Sequence, residues 1–480
     1  MQKIHNYING EFIAPVDGKY LDNYEPATGQ IYSQIAQSNA NDLELAVKAA
    51  ELAQQDWADL PSEQRSILLM KLAAAIESAS EELAKAEAID NGKPISFARN
   101  VDCYRSAANI RFFANAATQF STDCHDMGKI GVNYTLRQPV GIVACISPWN
   151  LPLYLFTWKI APALATGNCV IAKPSEITPM TAFIFSRLCI EVGIPKGVIN
   201  ILHGSGPSIG APLVDHPKVK AVSFTGGSAT GRAIAASVAP KLKKFSLELG
   251  GKNPSLVFAD CNFEATVKEV VRSAFSNQGQ ICLCASRIYV EQSIYEKFKS
   301  AFVELVEQIK IGDPLDETTQ HGALVSQAHF DKVYSYIQLA QQEGGKIISG
   351  GKKVTLSGRC GKGYFIEPTL VEGLSDDCRV NQEEVFGPLC SIQPFIDEKD
   401  ALSKANGTEY GLAVSIWSQD ISRCHRLSSQ LDFGIVWINT WLLRDLRTPF
   451  GGMKSSGMGR EGGFEAMRFF TEPKNVCIKY

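Results

Sequence analysis

The 480-residue sequence contains no stretch approaching the ~20 uncharged apolar residues that a membrane-spanning helix needs. Its first seven residues, Met1 to Tyr7, hold no apolar core, so a secretory signal is not expected. Charge of either sign is not in excess. The formal net charge is -3, which offers nothing to nucleic acid or to an anionic membrane. The 13 cysteines are odd in number and lack paired spacing, which argues against a disulfide framework and for reduced thiols in the cytoplasm. No Cys/His cluster has zinc-site spacing, and Cys282-x-Cys284 is closer than the usual ligand pair, so no metal is expected. Internal repeats and low-complexity linkers are missing as well. So are two nucleotide signatures: neither Gly204–Gly210 nor Gly226–Gly231 fits G-x-G-x-x-G or a P-loop.

What is present is a chain too long for one small domain, with two or three expected. Its 45% hydrophobic and 20% charged residues fit a folded soluble protein. The opening stretch, to about Asp22, has short alternating runs with Asn9-Gly10 as a hairpin turn. Helical spacing follows in Leu43, Ala46, Val47, Ala50, Ala53 and Trp57. A second helix starts near Pro61-Ser62-Glu63, a third stops at Asn91-Gly92-Lys93-Pro94, and another covers about 102–118. From Val140 to Leu249, apolar runs at 141–146, 169–172, 198–202, 221–224 and 245–247 alternate with stretches of mostly helical length. That pattern predicts a parallel sheet buried on both faces, with ligands beyond the strands' C-terminal ends. Asn150, Lys173, Glu176, Thr225 and Glu248 fall there. A second α/β region follows Gly250-Gly251, with helical runs near 264–275 and 294–309 and strand-like runs at 287–290 and 412–417. The segment 120–138 and the tail 475–480 are strand-like but stand outside the alternation. Unpaired sheet edges of that kind suit contact with another subunit.

The chemistry centres on Gly279-Gln280-Ile281-Cys282, in a stretch with no charge before Arg287. A thiol attacks as thiolate, and an ordinary pKa of roughly 8.5 means that it needs help. A small buried hydrophobe is the ordinary alternative for a cysteine. Gly279 admits a sharp backbone turn. Asn150 offers an uncharged amide for an oxyanion, or is a turn asparagine bonding its own backbone. Glu248 ends an apolar strand before two glycines. Burial would raise its pKa toward neutrality and make it a usable base; an ion pair with Lys252 is the alternative. Thr225-Gly226-Gly227 follows a clear strand and opens a helix whose N-terminal amides can hold a phosphate. Lys173 and Glu176, beyond another strand, carry a donor and an acceptor suited to ribose hydroxyls, or form a solvated loop.

Together these residues resemble the aldehyde dehydrogenase superfamily, from about residue 6 to the last. The motifs are Pro148-Trp149-Asn150, Lys173-Pro174-Ser175-Glu176, Phe224-Thr225-Gly226, Glu248-Leu249-Gly250-Gly251-Lys252, Gly279-Gln280-Ile281-Cys282, Glu384-Val385-Phe386-Gly387-Pro388 and Pro449-Phe450-Gly451-Gly452. The resemblance implies an α/β aldehyde dehydrogenase-like fold. A Rossmann-type NAD-binding domain (1–119 and 139–250) would stand beside an α/β catalytic domain (251–465). A small β oligomerisation domain (120–138 and 466–480) would join a homodimer or homotetramer. The implied cofactor is NAD, held by Ile146, Ser147, Pro148, Trp149, Lys173, Ser175, Glu176, Phe224, Thr225, Gly226, Gly227, Leu249, Gly250, Glu384 and Phe386. In the implied chemistry Cys282 attacks the aldehyde, and the Asn150 amide and Cys282 N–H hold the oxyanion. Glu248 then activates the water that hydrolyses the thioester. Gly227 departs from the pattern, many relatives having serine there. Cys284 is read as a packing residue.

Asn439–Phe450, Asn150–Lys159 and Asp102–Arg105 are similar to the branch of the superfamily acting on muconic semialdehydes. In that branch arginines matching Arg105 and Arg444 bind the substrate carboxylate, a sensible match because a guanidinium binds carboxylate bidentately. Asn150 and Leu155 are the other substrate-binding residues implied, and Arg447 is read as surface. The expected partner is a small aldehyde carrying a carboxylate, 2-aminomuconate 6-semialdehyde first. 2-Hydroxymuconate semialdehyde or a broader aldehyde range are the alternatives. Two other classes stand beside hydrolytic oxidation. An acylating enzyme that passes its thioester to coenzyme A has no use for Glu248. A non-catalytic structural protein has no use for Cys282, Asn150 and Glu248 together.

Overall fold

The computed structural model describes residues 1–480. Two open α/β sheets carry the architecture. The first runs, edge to edge, Gly457–Met458, Lys244–Glu248, Val219–Thr225, Ile142–Ile146, Cys169–Lys173, Ile199–Ile201, Asn6–Ile8, Glu11–Ile13. Its five middle strands are parallel, and only the edge additions are antiparallel. Those middle strands are the five apolar runs expected from the sequence, and Ile142–Ile146 and Cys169–Lys173 are buried along their whole length. Such strands need helices on both faces, which the intervening segments supply.

The strand order decides where a ligand can sit. From Ile142–Ile146 the chain moves one way to Cys169–Lys173 and Ile199–Ile201, then crosses to the opposite side for Val219–Thr225 and Lys244–Glu248. The connections therefore diverge between Ile142–Ile146 and Val219–Thr225, and a crevice opens beyond their C-terminal ends. Residues 147–150 and 226–227 border it.

The second sheet repeats the device. Asn253–Val257 lies between Ala285–Glu291 and Ala413–Trp417, with Leu389–Phe395, Thr369–Glu372 and Lys346–Ser349 continuing one side and Ile435–Ile438 the other. The small edge strand Gly457–Met458 belongs to the first sheet, although the sequence places it among residues of the second region.

Two further three-stranded sheets stand apart. Thr471–Lys479 pairs antiparallel along the whole of Gly131–Pro139, which also pairs Cys124–Asp126. At the N-terminus, Gln30–Ala36 lies between Gln2–Ile4 and Tyr20–Glu25. Strands Tyr20–Glu25 and Gln30–Ala36 have no counterpart in the reading of the sequence. The Asn9-Gly10 hairpin is present, with φ of 54° and 79° at its two central residues. Helices Ala40–Asp59, Ser62–Ser78 and Ser80–Asn91 follow, the third ended by left-handed Gly92. The helix around residue 100 is not uniform. A π-helical turn, Ala98–Cys103, leads directly into Tyr104–Ala117.

Candidate active site

Cys282 stands at the meeting point of two cavities. Helix Phe263–Phe275 ends in a turn where Asn277, Gln278 and Gly279 all have left-handed φ, at 50°, 57° and 69°. Non-glycine residues are strained there and persist only where their surroundings hold them. The Asn277 amide donates to the Asn150 carbonyl at 3.0 Å, and the Gln278 amide to the Ala323 carbonyl at 2.8 Å. A Cβ at position 279 would overlap the Gly387 carbonyl, so glycine is required there by both space and φ. The turn presents Cys282 partly open, while Cys284 is buried with its thiol aimed at the Ser276 carbonyl, 3.7 Å away.

The first cavity, about 250 Å³, is lined by Cys282 and Glu248 together with Arg105, Tyr104, Leu155, Tyr154, Arg444 and Phe450. Glu248 is 4% exposed, and neither of its oxygens has a partner. It forms no ion pair with Lys252. Burial raises its pKa well above the usual carboxylate range, and the negative charge of Glu461 adds to that. Glu461 accepts from the buried Lys159 ammonium at 2.7 Å and from the Ser223 hydroxyl at 3.1 Å. Burial, with Glu384 and Glu248 nearby, also holds the Cys282 thiol well above the ordinary thiol range.

The two arginines reach this cavity from different places. Arg105 stands on helix Tyr104–Ala117, and Arg444 on the loop after Ile435–Ile438. The Arg444 guanidinium lies 4.0 Å from the ring centre of Phe450 and 4.2 Å from that of Trp158, and it donates to the Tyr154 hydroxyl. Its Nη2 is buried with no partner. A desolvated cation whose faces are covered by aromatic rings keeps its in-plane N–H groups for an anion. Arg447 is exposed and paired with Asp445.

The second cavity, about 240 Å³, opens at the crevice of the first sheet and shares Thr225, Leu249 and Cys282 with the first. Pro148, Trp149, Asn150, Thr225, Gly226, Gly227, Gly250, Glu384 and Phe386 line it. Asn150 therefore enters from this side. Its side-chain amide donates to the Gln280 carbonyl at 2.9 Å, and its backbone carbonyl accepts from the Lys93 ammonium at 3.0 Å as well as from the Asn277 amide. Ile146 ends the strand before Ser147, and Phe224 packs under Gly226. Lys173, Ser175 and Glu176 sit beyond the neighbouring strand, outside this cavity's lining, with Lys173 and Glu176 paired at 3.0 Å.

This second cavity suits a dinucleotide. The hydroxyls of Ser147, Thr225 and Ser228 are buried without partners. Helix Ser228–Val238 begins at Gly227 with no side-chain cap, leaving its first amides for an anion. A Cβ at position 250 would overlap the Glu384 carboxylate, which accepts the Gly251 N–H at 2.9 Å.

Several residues at the site are not marked by the sequence reading. His329 and Lys332 line the second cavity. They hold the backbone carbonyls of Phe386 and Glu384 at 2.7 and 3.1 Å, and burial pushes the His329 imidazole down to about 4. Phe386 has φ of 63° and stacks edge-on to Trp149, ring centres 5.3 Å apart. Lys93, Lys159 and Glu461 are the other additions. Each is a charged residue in a buried position, a signal that becomes visible only with burial known.

Comparison with known proteins agrees in length and in shape. The model of the aldehyde dehydrogenase family matches residues 12–476. The 2-aminomuconic semialdehyde dehydrogenase of Danio rerio is 49% identical over 480 residues, covering 99% of this chain and 98% of its own. The 2-hydroxymuconic semialdehyde dehydrogenase of Pseudomonas sp. (strain CF600) is 42% identical over 485 residues, covering 100% of each. The NAD+ complex of the aldehyde dehydrogenase from Bacillus cereus superposes with a TM-score of 0.97 at 37% identity, covering 100% of this chain and 97% of the other.

Proposed function

The chain belongs to the aldehyde dehydrogenase family and is an NAD-dependent aldehyde dehydrogenase, and from that premise we propose that it oxidises a muconic semialdehyde, most specifically 2-aminomuconate 6-semialdehyde to 2-aminomuconate. The observation that carries this substrate is the caged guanidinium of Arg444, with its unpartnered Nη2, lining one cavity with Arg105, Glu248 and Cys282. Arg105 has no acidic partner either. Two cations without counter-ions in a wall that also holds the nucleophile call for an anionic group on the substrate, remote from its aldehyde. Relatives named for both aminomuconic and hydroxymuconic semialdehydes support the same chemistry.

The roles follow from position. The Cys282 thiol gives up its proton to water as its sulfur adds to the aldehyde carbon, and the free N–H of the Asn150 amide, with the Cys282 N–H, takes the developing oxyanion. NAD held in the second cavity would supply the hydride acceptor, and a thioester would be left on Cys282. Glu248, raised by burial, takes a proton from the water that attacks the thioester, and the carboxylate leaves. Thr225, Gly226 and the helix after Gly227 would receive the pyrophosphate. Glu384 and Phe386 would hold the nicotinamide half, and Lys173, Ser175 and Glu176 the adenosine ribose. The separate sheet of residues 124–126, 131–139 and 471–479 is read as the subunit contact of a homodimer or homotetramer. The thirteen free thiols support a reducing, cytoplasmic compartment.

The test is kcat/KM with NAD for a muconic semialdehyde against hexanal. A preference of more than about tenfold for the carboxylated aldehyde is expected from one charged hydrogen bond. Equal efficiency on the two would remove the substrate reading and leave the aldehyde dehydrogenase chemistry intact.

A further inference from the structure

We propose that Trp441 fixes the span between Arg444 and Cys282 and so selects the chain length of the carboxylated aldehyde; this rests on the reading of Arg444 as the carboxylate anchor. Arg444 belongs to a loop that has no regular structure of its own. Asn439 and Leu442 hold left-handed φ of 54° and 62° there, conformations that a leucine in particular adopts only under external restraint. The restraint comes from a few side-chain-to-backbone ties. The Trp437 indole N–H donates to the loop's own Leu443 carbonyl at 2.9 Å, which closes the loop on itself. The Trp441 indole N–H reaches the Leu283 carbonyl at 2.9 Å, on the residue next to Cys282. From the opposite direction, Arg272 donates to the Trp441 carbonyl at 2.8 Å and lies 4.8 Å from the centre of its ring.

Both outward ties end on the segment that carries the nucleophile. Arg272 is in the last turn of Phe263–Phe275, which runs straight into the strained turn before Cys282, and Leu283 follows Cys282 directly. Trp441 is 2% exposed, so its indole is a rigid spacer held at its ring nitrogen and at its own carbonyl. The anchor stands three residues beyond that spacer. The distance from guanidinium to sulfur is then set by this indole on the backbone side and by Tyr154, Trp158 and Phe450 on the guanidinium side, not by the flexibility of the loop. An aldehyde oxidised efficiently must place its carboxylate and its carbonyl carbon at that separation together, which turns binding into orientation only for a matching chain length. Trp441 is hydrogen-bonded to Leu283 and Arg272 rather than to Cys282 or Arg444 and does not line the cavity, so it is a positioning residue.

The test compares kcat/KM for straight-chain aldehydes of five, six and seven carbons bearing a terminal carboxylate, each divided by the value for hexanal. Wild type is expected to peak at six carbons, the length of the muconic chain. Trp441→Phe keeps an aromatic ring beside Arg272 but loses the N–H that holds the Leu283 carbonyl. The six-carbon advantage over its neighbours is expected to fall by about tenfold, because the displaced Arg444 no longer meets the substrate carboxylate in a well-placed charged hydrogen bond. A Trp441→Phe enzyme that binds NAD and keeps the wild-type length profile would overturn the proposal. Should that variant fail to fold, Arg272→Lys alters the other tie while keeping the positive charge in the cavity wall, and decides in the same way. A wild type that prefers no carboxylated aldehyde to hexanal at any length would overturn the anchor reading itself, and the ruler with it.

Discussion

The two cavities that share Cys282 are made of different materials. On the cofactor side the walls are strand ends, helix amides and glycines, with Gly226, Gly227 and Gly250 leaving the backbone bare. On the substrate side the recognition rests on a few long side chains, Arg105 from a helix and Arg444 from a loop. A cleft of many backbone contacts spreads its binding over redundant groups. A cavity whose wall holds two arginines without acidic partners, beside an Arg272 paired to Glu269, concentrates it. One half of the molecule should therefore tolerate single substitutions that the other half does not.

Six substitutions probe that contrast, beginning where the two sides meet. Cys282→Ser is expected to lower NADH formation by more than about 10⁴-fold while NAD binding, followed by fluorescence quenching, is retained. Cys284→Ser should keep turnover, because its thiol faces the Ser276 carbonyl. If the Cys284 variant is the inactive one, the assignment of the nucleophile is wrong. Next, Glu248→Gln should slow thioester hydrolysis by about 10²–10⁴-fold, seen as an added acyl mass on the intact protein after one burst of NADH. The unionised acid cannot accept a proton, so the wild-type rate should drop as pH falls through the raised pKa of Glu248. That acid limb should vanish in Glu248→Gln; its survival would move the base elsewhere.

On the substrate side, Arg444→Ala and Arg105→Ala should each lose ~1.5–3 kcal/mol, about 10- to 150-fold in kcat/KM, on a muconic semialdehyde. The loss on hexanal should be at least about tenfold smaller. Equal losses on both would make the arginines structural. The smallest effect belongs to the cofactor side. Gly227 has φ of -70° and no atom within 4 Å of where its Cβ would stand, so Gly227→Ser fits without strain. A serine at a helix N-cap gains only a few tenths of a kcal/mol over glycine, and the KM for NAD should change by less than about threefold. A tenfold change there would break the contrast between distributed and concentrated recognition.

The same contrast explains what the sequence discloses. The parallel sheet is legible because both its faces are buried, which writes five uninterrupted apolar runs into residues 140–249. The turn before Cys282 is legible through Gly279, whose position no other residue can take. Arg444 is visible as a letter but its cage is not. Trp158 and Tyr154 reach it from the far side of the sequence, and only the fold puts the rings beside the guanidinium. Strands Tyr20–Glu25 and Gln30–Ala36 escape for a related reason. They are half-exposed and mixed in pattern, and Gln2–Ile4 pairs Gln30–Ala36 from nearly thirty residues away, in a parallel register no local rule foretells. The buried lysines Lys93 and Lys159 look like ordinary surface residues until their surroundings are known.

The π-helical turn Ala98–Cys103 has a further consequence, in the phase of a wheel. A turn that takes one residue more than an α-helical turn rotates everything after it by about 100° relative to an uninterrupted helix. Tyr104 and Arg105 come directly after that turn, and their direction is therefore stored in the number of residues before them. Removing Ala98 or Arg99 would let the segment relax to a plain α-helix and swing Arg105 away from the cavity, with every side chain that lines it still encoded. Length, at this one place, works as a selector of substrate that a scan of point substitutions passes over.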